Sequence, residues 1–323
     1  MYYIGIDISK STFIAAYPQE KGYKTREFKN TPKGIKDFIK TLYPDENHCI
    51  MEATGNYCML LLYMLNESGI RASLINPLKT HNFARAEMSV TKTDAEDAKM
   101  LSKYGTEKRP DVYKMPTKTI LLLKQQRSVL RQYKKQLSAL KNLLGSIEIL
   151  PIVNSLAVKS LKDSIKSLEK QISRLEEDMI NITKNEFKRQ LELLTSIKGI
   201  GNEIATALIT TTGGFTYFQT AKQFSRYIGL CPTIIQSGSS INIKGHINRN
   251  GDPYLRSLLY VVSMQAIRCN TACKECYLRL KSKGKFGKVA IIAVANKLIR
   301  QAFAVIKSNH VYVDGYVSSL LKI

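Results

Sequence analysis

The sequence is poor in cysteine and in long apolar runs, and each shortage excludes a class of protein. Six cysteines in 323 residues are too few for the disulfide framework of a small secreted protein. The longest apolar run, 59–65, is far shorter than the ~20 residues of a membrane-spanning helix. The N-terminus also lacks the basic region, apolar stretch and cleavage site of a signal peptide. These absences predict a cytoplasmic protein with no membrane partner.

Histidine is scarce as well, which weakens the one metal-binding pattern that the cysteines offer. Cys269, Cys273 and Cys276 have the spacing of one helical face, but the four histidines lie elsewhere in the chain. A zinc site there would need a fourth ligand nearby. We therefore expect these cysteines to be reduced residues of a protein core.

Acidic residues are the third shortage, with 26 against 49 lysines and arginines, so the formal net charge is +23. A surplus of that size favours a polyanionic partner, usually nucleic acid. Changes in pattern divide the chain into residues 1–116, 117–190 and 191–323, with net charges of +3, +8 and +12. The low net charge of the first part is typical of a domain that gathers carboxylates for a metal. The higher positive charge of the other two parts is typical of regions that bind a phosphate backbone.

The first part alternates between strand and helix signals. Segments rich in β-branched and aromatic residues predict strands at Tyr2–Asp7, Thr12–Tyr17, Tyr23–Phe28, His48–Glu52 and Arg71–Ile75. Helices are predicted to begin at Thr31 and Pro32, to cover Tyr57–Ser68, and to run from Thr93 to about Tyr104. By pattern alone this part is a mixed α/β domain.

The middle part has the heptad pattern of a coiled coil. Its apolar residues alternate by four and three over three heptads at Leu161, Ile165, Leu168, Ile172, Leu175, Met179 and Ile182. Upstream, leucines recur every seven residues, and the sites between them hold Arg127, Lys134 and Lys141. Pro151 separates the two runs, so a hairpin within one chain and pairing with a partner chain both remain open.

Four acidic residues stand where a metal site could form. Asp7 in IGIDISK and Glu52 in CIMEATG each end an apolar strand, and Asp94 and Asp97 in KTDAEDAKML are at helical i, i+3 spacing. Acidic residues so placed can converge at the rim of a sheet, where Mg²⁺ ions assist phosphodiester cleavage. Singly, each also fits a structural role as a turn residue or a residue at a helix start.

Together, the strings GIDISK, MEATG and KTDAEDA resemble the DEDD transposases of the IS-one-ten insertion-sequence family, relatives of the Piv invertase. The resemblance covers nearly the whole chain. It implies a RuvC-like, ribonuclease H-like N-terminal domain, a coiled-coil middle and a mainly helical C-terminal domain. It also implies that Asp7, Glu52, Asp94 and Asp97 are catalytic and hold Mg²⁺, as two ions.

The C-terminal part contains two further candidate sites for nucleic acid. Residues 194–208 read as two helices joined by Gly-Ile-Gly, a helix-hairpin-helix-like pattern in which Lys198, Gly199 and Gly201 could meet a phosphate. Other basic residues of this part are expected either on a solvated surface or at phosphates, namely Lys244, His246, Arg249, Arg256, Lys281, Lys283, Lys285 and Lys288.

The stretch from Gly229 to Pro253 is dense in Gly, Pro, Ser and Asn, which predicts a loop or hairpin. It resembles the family segment in which a Ser-Gly pair carries a nucleophilic serine, and the matching residue here is Ser237. A serine hydroxyl can attack a phosphodiester and hold the broken strand as a phosphoserine. Ser239 and Ser240 are close enough to compete for this assignment.

The resulting hypothesis is a Mg²⁺-dependent DNA transposase that excises and inserts an insertion-sequence element. The resemblance implies that a bridge RNA pairs with donor and target DNA, and that the protein acts as a homodimer or homotetramer. One alternative is a structure-selective nuclease such as a Holliday-junction resolvase, which would use the carboxylates without Ser237. A second alternative is a non-catalytic nucleic-acid-binding protein.

Overall fold

The chain folds into two compact units, Met1–Met115 and Pro116–Ile323. The computed structural model describes residues 1–88, 93–237, 241–247 and 251–315, with only the backbone for 233–237 and 241–246. The first unit mixes strands and helices and the second is mainly helical, which confirms an α/β domain followed by a helical part. The division into three parts stays a prediction.

The first unit contains all the strands and helices that its sequence predicts. In chain order its elements are β1 (Tyr2–Ile8), β2 (Thr12–Pro18), β3 (Tyr23–Lys29), α1 (Pro32–Ile39), β4 (Asn47–Glu52), α2 (Met59–Glu67), β5 (Arg71–Ile75), α3 (Pro77–Ala86) and α4 (Asp94–Lys108). Thr31 caps α1 and Thr93 caps α4, each through its side-chain oxygen. Helix α3 was not predicted, although Asn76 caps it and Pro77 follows at the first helical position.

The five strands form one sheet in the order β3-β2-β1-β4-β5. Strands β1, β4 and β5 are parallel, and β2 and β3 continue the sheet antiparallel. Residues of α1 and α2 such as Phe38 and Leu61 share a core with Ile6 on one face of the sheet. On the other face, Leu101 of α4 packs with Ile50. The sheet is therefore covered by helices on both sides.

Helix α4 lies unusually close to β1. A Cβ atom on Gly5 would overlap the carbonyl oxygen of Ala98 and the amide nitrogen of Ser102. The Ser102 hydroxyl donates a hydrogen bond of 2.5 Å to the Tyr3 carbonyl, which fixes the helix along the strand. A Cβ on Gly105 would likewise lie 2.6 Å from the Ile50 side chain. Two glycines thus set the separation between helix and sheet.

The second unit contains eight helices and one hairpin within the residues described. In chain order they are α5 (Lys118–Glu148), α6 (Ser155–Glu186), α7 (Lys188–Thr195), α8 (Asn202–Thr212), α9 (Ala221–Tyr227), β6 (Pro232–Ser237), β7 (Ile241–Ile247), α10 (Pro253–Cys269), α11 (Thr271–Ser282) and α12 (Gly287–Ser308). The predicted loop or hairpin is an antiparallel pair of strands.

The two long helices α5 and α6 pack on each other within one chain. Lys134 pairs with Glu176 at 2.6 Å and Lys141 with Glu169 at 2.7 Å, so later residues of α5 meet earlier residues of α6. The helices are therefore antiparallel. Of the predicted apolar seam, Ile165, Ile172 and Met179 are buried, while the alternating residues are half-buried.

The polar sites of the upstream heptads have partners in this arrangement. Lys134 also reaches Glu203 of α8 at 2.7 Å, and Arg127 pairs with Asp252. Each of the three basic residues that interrupt the leucine pattern therefore forms at least one salt bridge. The half-polar seam reflects contacts with acidic residues of α6, of α8 and at the start of α10.

Helix α12 is the one described helix that is long and apolar enough to cross a membrane, by length and composition only. Its apolar residues Val294, Leu298, Ile299 and Ala302 are buried in the core of the second unit. Because a core helix of a water-soluble protein meets the same criteria, this helix is weak support for a membrane interpretation.

We predict that Gly5→Ala destabilises the first unit, because the added Cβ would collide with the backbone of α4. The cost should be about 1–3 kcal/mol or more in the free energy of unfolding, measured by urea denaturation. Gly145→Ala is the control, since the Cβ there meets nothing within 4 Å. That change lies inside α5 and should stabilise by about 0.5–1 kcal/mol. Equal stability of the two variants would contradict the close contact.

Candidate active site

Asp7 and Glu52 lie side by side where two parallel strands end. In the register of β1 and β4, Ile6 is opposite Met51, which makes Asp7 and Glu52 the next pair along. Side chains alternate along a strand, so Asp7 is on the same face as Gly5, and Glu52 on the same face as Ile50. Both of those residues contact α4. The two carboxylates therefore share the α4 face of the sheet.

The close contact at Gly5 brings the start of α4 toward the same place. Successive contacts join Tyr3 to Ser102 and Gly5 to Ala98, so α4 runs antiparallel to β1. Asp97 and Asp94 precede Ala98 in the first turn of the helix and therefore lie toward Asp7. Asp97 is half-buried and Asp94 is exposed. All four predicted carboxylates are thus directed to one edge of the sheet.

Asp7 is affected by the charges of the other three carboxylates. The pKa of Asp7 is raised from 3.8 to about 6, mainly because the carboxyl is partly buried and also because of the negative charges of Asp94, Asp97 and Glu52. A backbone hydrogen bond at Ile8 acts in the opposite direction. Like charges held close together at a partly buried site disfavour ionisation, and a bound cation would relieve that repulsion.

Glu52 has a hydrogen-bond partner that the sequence did not indicate. The Thr80 hydroxyl, on the unpredicted helix α3, donates to Oε2 of Glu52 at 2.6 Å. Thr80 is buried, so this contact holds one carboxylate oxygen in a fixed direction and leaves the other available. A lone threonine in a sequence does not indicate such a contact. The only sequence signal for this hydrogen bond is the Asn-Pro pair that begins α3.

The donor set suits a hard divalent ion such as Mg²⁺, because all four side chains are carboxylates. Within the described ranges, no three His, Cys, Asp or Glu side chains are close enough together to hold a metal ion as they stand. The carboxylates interact through space without converging on a single point. Binding a metal would therefore require these side chains to move.

The second candidate site is the hairpin β6–β7. Ser237 is the last residue of β6 and is paired with Ile241 across the hairpin. The backbone of Lys244 and His246 belongs to β7. Gly238, Ser239, Ser240 and Arg249 lie outside the described residues. The predicted nucleophile thus stands at the end of a strand.

The two ends of the hairpin segment meet at one point. A Cβ atom on Gly251 would overlap the backbone of Ile228 and Gly229, so only glycine allows this approach. The half-buried Arg256 donates a hydrogen bond of 2.8 Å to the Ile228 carbonyl. Arg256, predicted as a residue that contacts nucleic acid, therefore joins α10 to the chain that enters the hairpin.

Helix α5 fixes the chain where it leaves the hairpin. Arg127 forms a salt bridge with Asp252, which caps α10, and donates to the Thr211 hydroxyl at 2.6 Å. Its guanidinium also lies 5.8 Å from the centre of the Tyr254 ring. These contacts span long sequence separations, and nothing in the sequence identified them. Arg127 thereby ties the long helix pair to the base of the serine hairpin.

The Gly-Ile-Gly turn joins α7 and α8 as predicted, but it packs against α10. Gly199 has a φ of +100°, and a Cβ there would lie 2.9 Å from the Cβ of Ala266. Lys198 forms a salt bridge of 3.1 Å with Asp314 and lowers the pKa of that carboxyl. Gly201 stands at the N-cap of α8. Lys198 is thus already paired, whereas Lys285, in the turn before α12, is exposed.

Comparison with known proteins decides the family. A profile described as "Transposase IS116/IS110/IS902 family" matches residues 191–278, and the DEDD transposase profile for IS110 elements matches residues 4–148. The chain is similar to the pilin gene-inverting proteins of Moraxella bovis and Moraxella lacunata, at 32% identity over 95% of this chain and 96% of each of theirs. It is also similar to a probable family 20 transposase of Pseudomonas aeruginosa, at 25% identity over 97% and 98%.

The chain belongs to the IS110 transposase family. The resemblance drawn from its sequence motifs is confirmed, and the protein is a DNA transposase or recombinase. Both matched segments include candidate site residues: the DEDD match spans all four carboxylates, and the other match spans Ser237. The roles of individual residues in this transposase stay predictions.

We predict that Asp7→Asn changes how the transposase responds to metal. Without metal it should raise the melting temperature by a few degrees, because one of four repelling charges is removed. Added Mg²⁺ should stabilise the unaltered transposase and have much less effect on the variant. Differential scanning fluorimetry measures both effects, with the exposed Asp45→Asn as control. Equal Mg²⁺ stabilisation of Asp7→Asn and the unaltered protein would exclude Asp7 as a ligand.

A second prediction distinguishes a basic residue that stabilises the fold, Arg256, from an exposed basic residue, Lys285. Arg256→Gln should lower the free energy of unfolding by about 1–2 kcal/mol, because it removes a charged hydrogen bond to a carbonyl. Lys285→Gln, at an exposed position, should leave stability unchanged. Urea denaturation monitored by circular dichroism gives both values. The structural role of Arg256 would be refuted if the two variants were equally stable.

Proposed function

We propose that this transposase cleaves and rejoins DNA with two cooperating groups, a Mg²⁺ site at Asp7, Glu52, Asp94 and Asp97 and a nucleophilic serine at Ser237. The observation that carries the proposal is the placement of four carboxylates at one edge of the sheet, by the register of β1 and β4 and the close contact of α4 with Gly5. Burial, and then the charges of Asp94, Asp97 and Glu52, raise the pKa of Asp7 there. Acidic residues gathered at one place, with a perturbed pKa among them, are typical of a functional site that binds a cation. In this proposal the first unit has a RuvC-like fold.

The chemistry follows from these groups. The Ser237 hydroxyl oxygen forms a bond to the phosphorus of the scissile phosphodiester while the bond from phosphorus to the leaving nucleotide oxygen breaks. The serine gives up its proton and the leaving oxygen takes one up. Bound Mg²⁺, as two ions, would stabilise negative charge on the phosphate and leaving oxygens. A hydroxyl of another strand end then attacks the phosphoserine, which releases the serine and joins the new strands.

The carboxylates have distinct supporting roles. Asp7 and Glu52 belong to the ends of two rigid strands, and Thr80 orients Glu52 through its hydrogen bond of 2.6 Å. Asp94 and Asp97 come from the first turn of α4, whose position is fixed by its contact with Gly5. The ligands thus rest on regular structure rather than on loops, so binding a metal would require movement of their side chains on a fixed backbone.

We further propose that a bridge RNA guides the reaction by pairing with donor and target DNA. The net charge of +23 supports a large polyanionic partner. Most of this positive charge lies in the residues that follow the first unit. The active form is a homodimer or homotetramer in which α5 and α6 take part as a coiled coil. Transposition is then an activity of the cytoplasm, where the element's DNA and RNA are found.

The 32% identity with the pilin gene-inverting proteins favours a second candidate outcome, which is inversion of a DNA segment between two sites. Inversion uses the same cleavage and joining steps and differs only in how the sites are arranged. A plasmid carrying the element's ends in inverted orientation would report inversion by its changed restriction pattern, whereas excision would shorten the plasmid.

We predict that the reaction passes through a covalent protein–DNA adduct. The transposase, Mg²⁺, DNA with the element's junction and RNA transcribed from its flank should give a shifted band on a denaturing gel. Ser237→Ala should reduce that band to below about one thousandth, because the nucleophile is lost. Ser239→Ala and Ser240→Ala are matched controls that should keep the band. Asp97→Asn should lose cleavage and adduct together.

The alternatives give different results in the same experiment. Cleavage without an adduct, unaffected by Ser237→Ala, would mean that the carboxylates act alone, as in a structure-selective nuclease. Binding without cleavage, whatever the metal, would indicate a non-catalytic nucleic-acid-binding protein. A band that depends on Ser239 or Ser240 instead would move the nucleophile by two or three residues.

A further inference from the structure

Two neighbouring helices of the second unit carry many cations with almost no acid to balance them. Residues 271–308, which form α11, α12 and the turn between them, contain nine lysines and arginines and one acid, Glu275. Among the residues that the structure describes, none of these nine cations forms a salt bridge, unlike Lys134 or Lys198 elsewhere in the unit. Such a concentration of unbalanced charge attracts a polyanion.

A groove between these helices gathers part of that charge. We call it the basic groove and define it by Arg279 of α11 and by Asn296, Lys297 and Arg300 of α12, with Glu275 as its single acid. The residues that line it recur at three- and four-residue spacing along both helices, so each helix presents one continuous face. Arg279, Lys297 and Arg300 are all exposed. Three cations therefore point to solvent along one channel.

The wall of the basic groove is attached to the serine hairpin. Oδ1 of Asn296 is 2.6 Å from the Ser225 hydroxyl of α9, and its Nδ2 donates to the Leu230 carbonyl at 3.4 Å. Leu230 comes two residues before β6 begins at Pro232. The chain that enters the hairpin is thus hydrogen-bonded to a residue of the groove.

We propose that the basic groove binds the phosphate backbone of the duplex DNA that the hairpin serine attacks. The guanidinium groups of Arg279 and Arg300 can each donate two parallel hydrogen bonds to a phosphate, and Lys297 adds a point charge. The attachment at Asn296 places this backbone contact beside the root of the hairpin. The identity of the strand rests on the proposed function, whereas the affinity for a phosphate backbone rests on the groove alone.

The side chains of the groove favour contact with duplex backbone over other nucleic-acid contacts. Its lining residues include no aromatic side chain on which an unpaired base could stack. The one amide in it, Asn296, is already hydrogen-bonded to Ser225 and Leu230, so it does not read a base edge. Binding there should be independent of sequence and strongly dependent on salt.

The test compares two variants that each remove three positive charges from the full-length transposase. The groove variant is Arg279→Gln/Lys297→Gln/Arg300→Gln. The control variant is Lys21→Gln/Lys24→Gln/Lys33→Gln, which alters exposed lysines of the first unit that form no salt bridge in the described part of the chain. Fluorescence anisotropy with a labelled, mixed-sequence DNA duplex gives the dissociation constant over a series of KCl concentrations.

The groove variant should bind at least tenfold more weakly and reduce the slope of log K against log salt by about 2–3. The control should change the slope by less than 1, because its charges act only at a distance. A slope change in the groove variant no larger than the control's would overturn the proposal. Arg279→Lys/Arg300→Lys retains the charges and should keep most of the slope, which distinguishes lost contacts from altered folding.

Two further comparisons separate this proposal from the proposed function. A duplex RNA of the same length is tested in parallel, and an effect confined to RNA would exclude DNA as the occupant. Ser237→Ala should bind the DNA duplex as the unaltered protein does. If the adduct forms regardless of Ser237, the proposed nucleophile is wrong although the basic groove still binds. If the groove variant binds normally and the adduct depends on Ser237, only the groove assignment fails.

Discussion

The close packing of α4 on β1 is the constraint on which the candidate active site depends. Gly5 lets the helix backbone touch the strand, and that contact directs Asp94 and Asp97 toward Asp7 and Glu52. The cost is repulsion among carboxylates at a partly buried place. Apolar contacts behind the site, such as Leu101 against Ile50, offset that cost. The fold thus holds together charges that would otherwise separate.

Much of the first unit could be predicted because its signals are local. Five strands were placed within one residue at each end, since β-branched runs and turn residues act over a few positions. Thr93 likewise marked the start of α4. Helix α3 was missed because its polar and apolar residues follow no clear helical period. The role of Thr80 on that helix was therefore missed as well, because its hydrogen bond to Glu52 joins residues 28 positions apart.

The second unit was less predictable because long-range contacts organise it. The heptads identified both long helices, yet they left open what Arg127 and Lys134 contact. Arg127 reaches Asp252 across 125 positions and Lys134 reaches Glu203 across 69. Such pairs depend on how α8 and α10 pack, which no local pattern specifies. Arg256 shows the same difficulty, because a basic residue in a basic region looks like a nucleic-acid contact until its carbonyl partner is known.

The meeting of Gly251 with Ile228 and Gly229 has a consequence for how this family can vary. Because Gly251 meets Ile228 and Gly229, the chain leaves the helical core and returns to it at neighbouring points. The length of the segment between Leu230 and Gly251 is therefore decoupled from the positions of α9 and α10. Insertions in such a segment add little closure entropy and leave the surrounding packing intact. Related elements could therefore diversify the hairpin, and with it the geometry of strand exchange, on an unchanged scaffold.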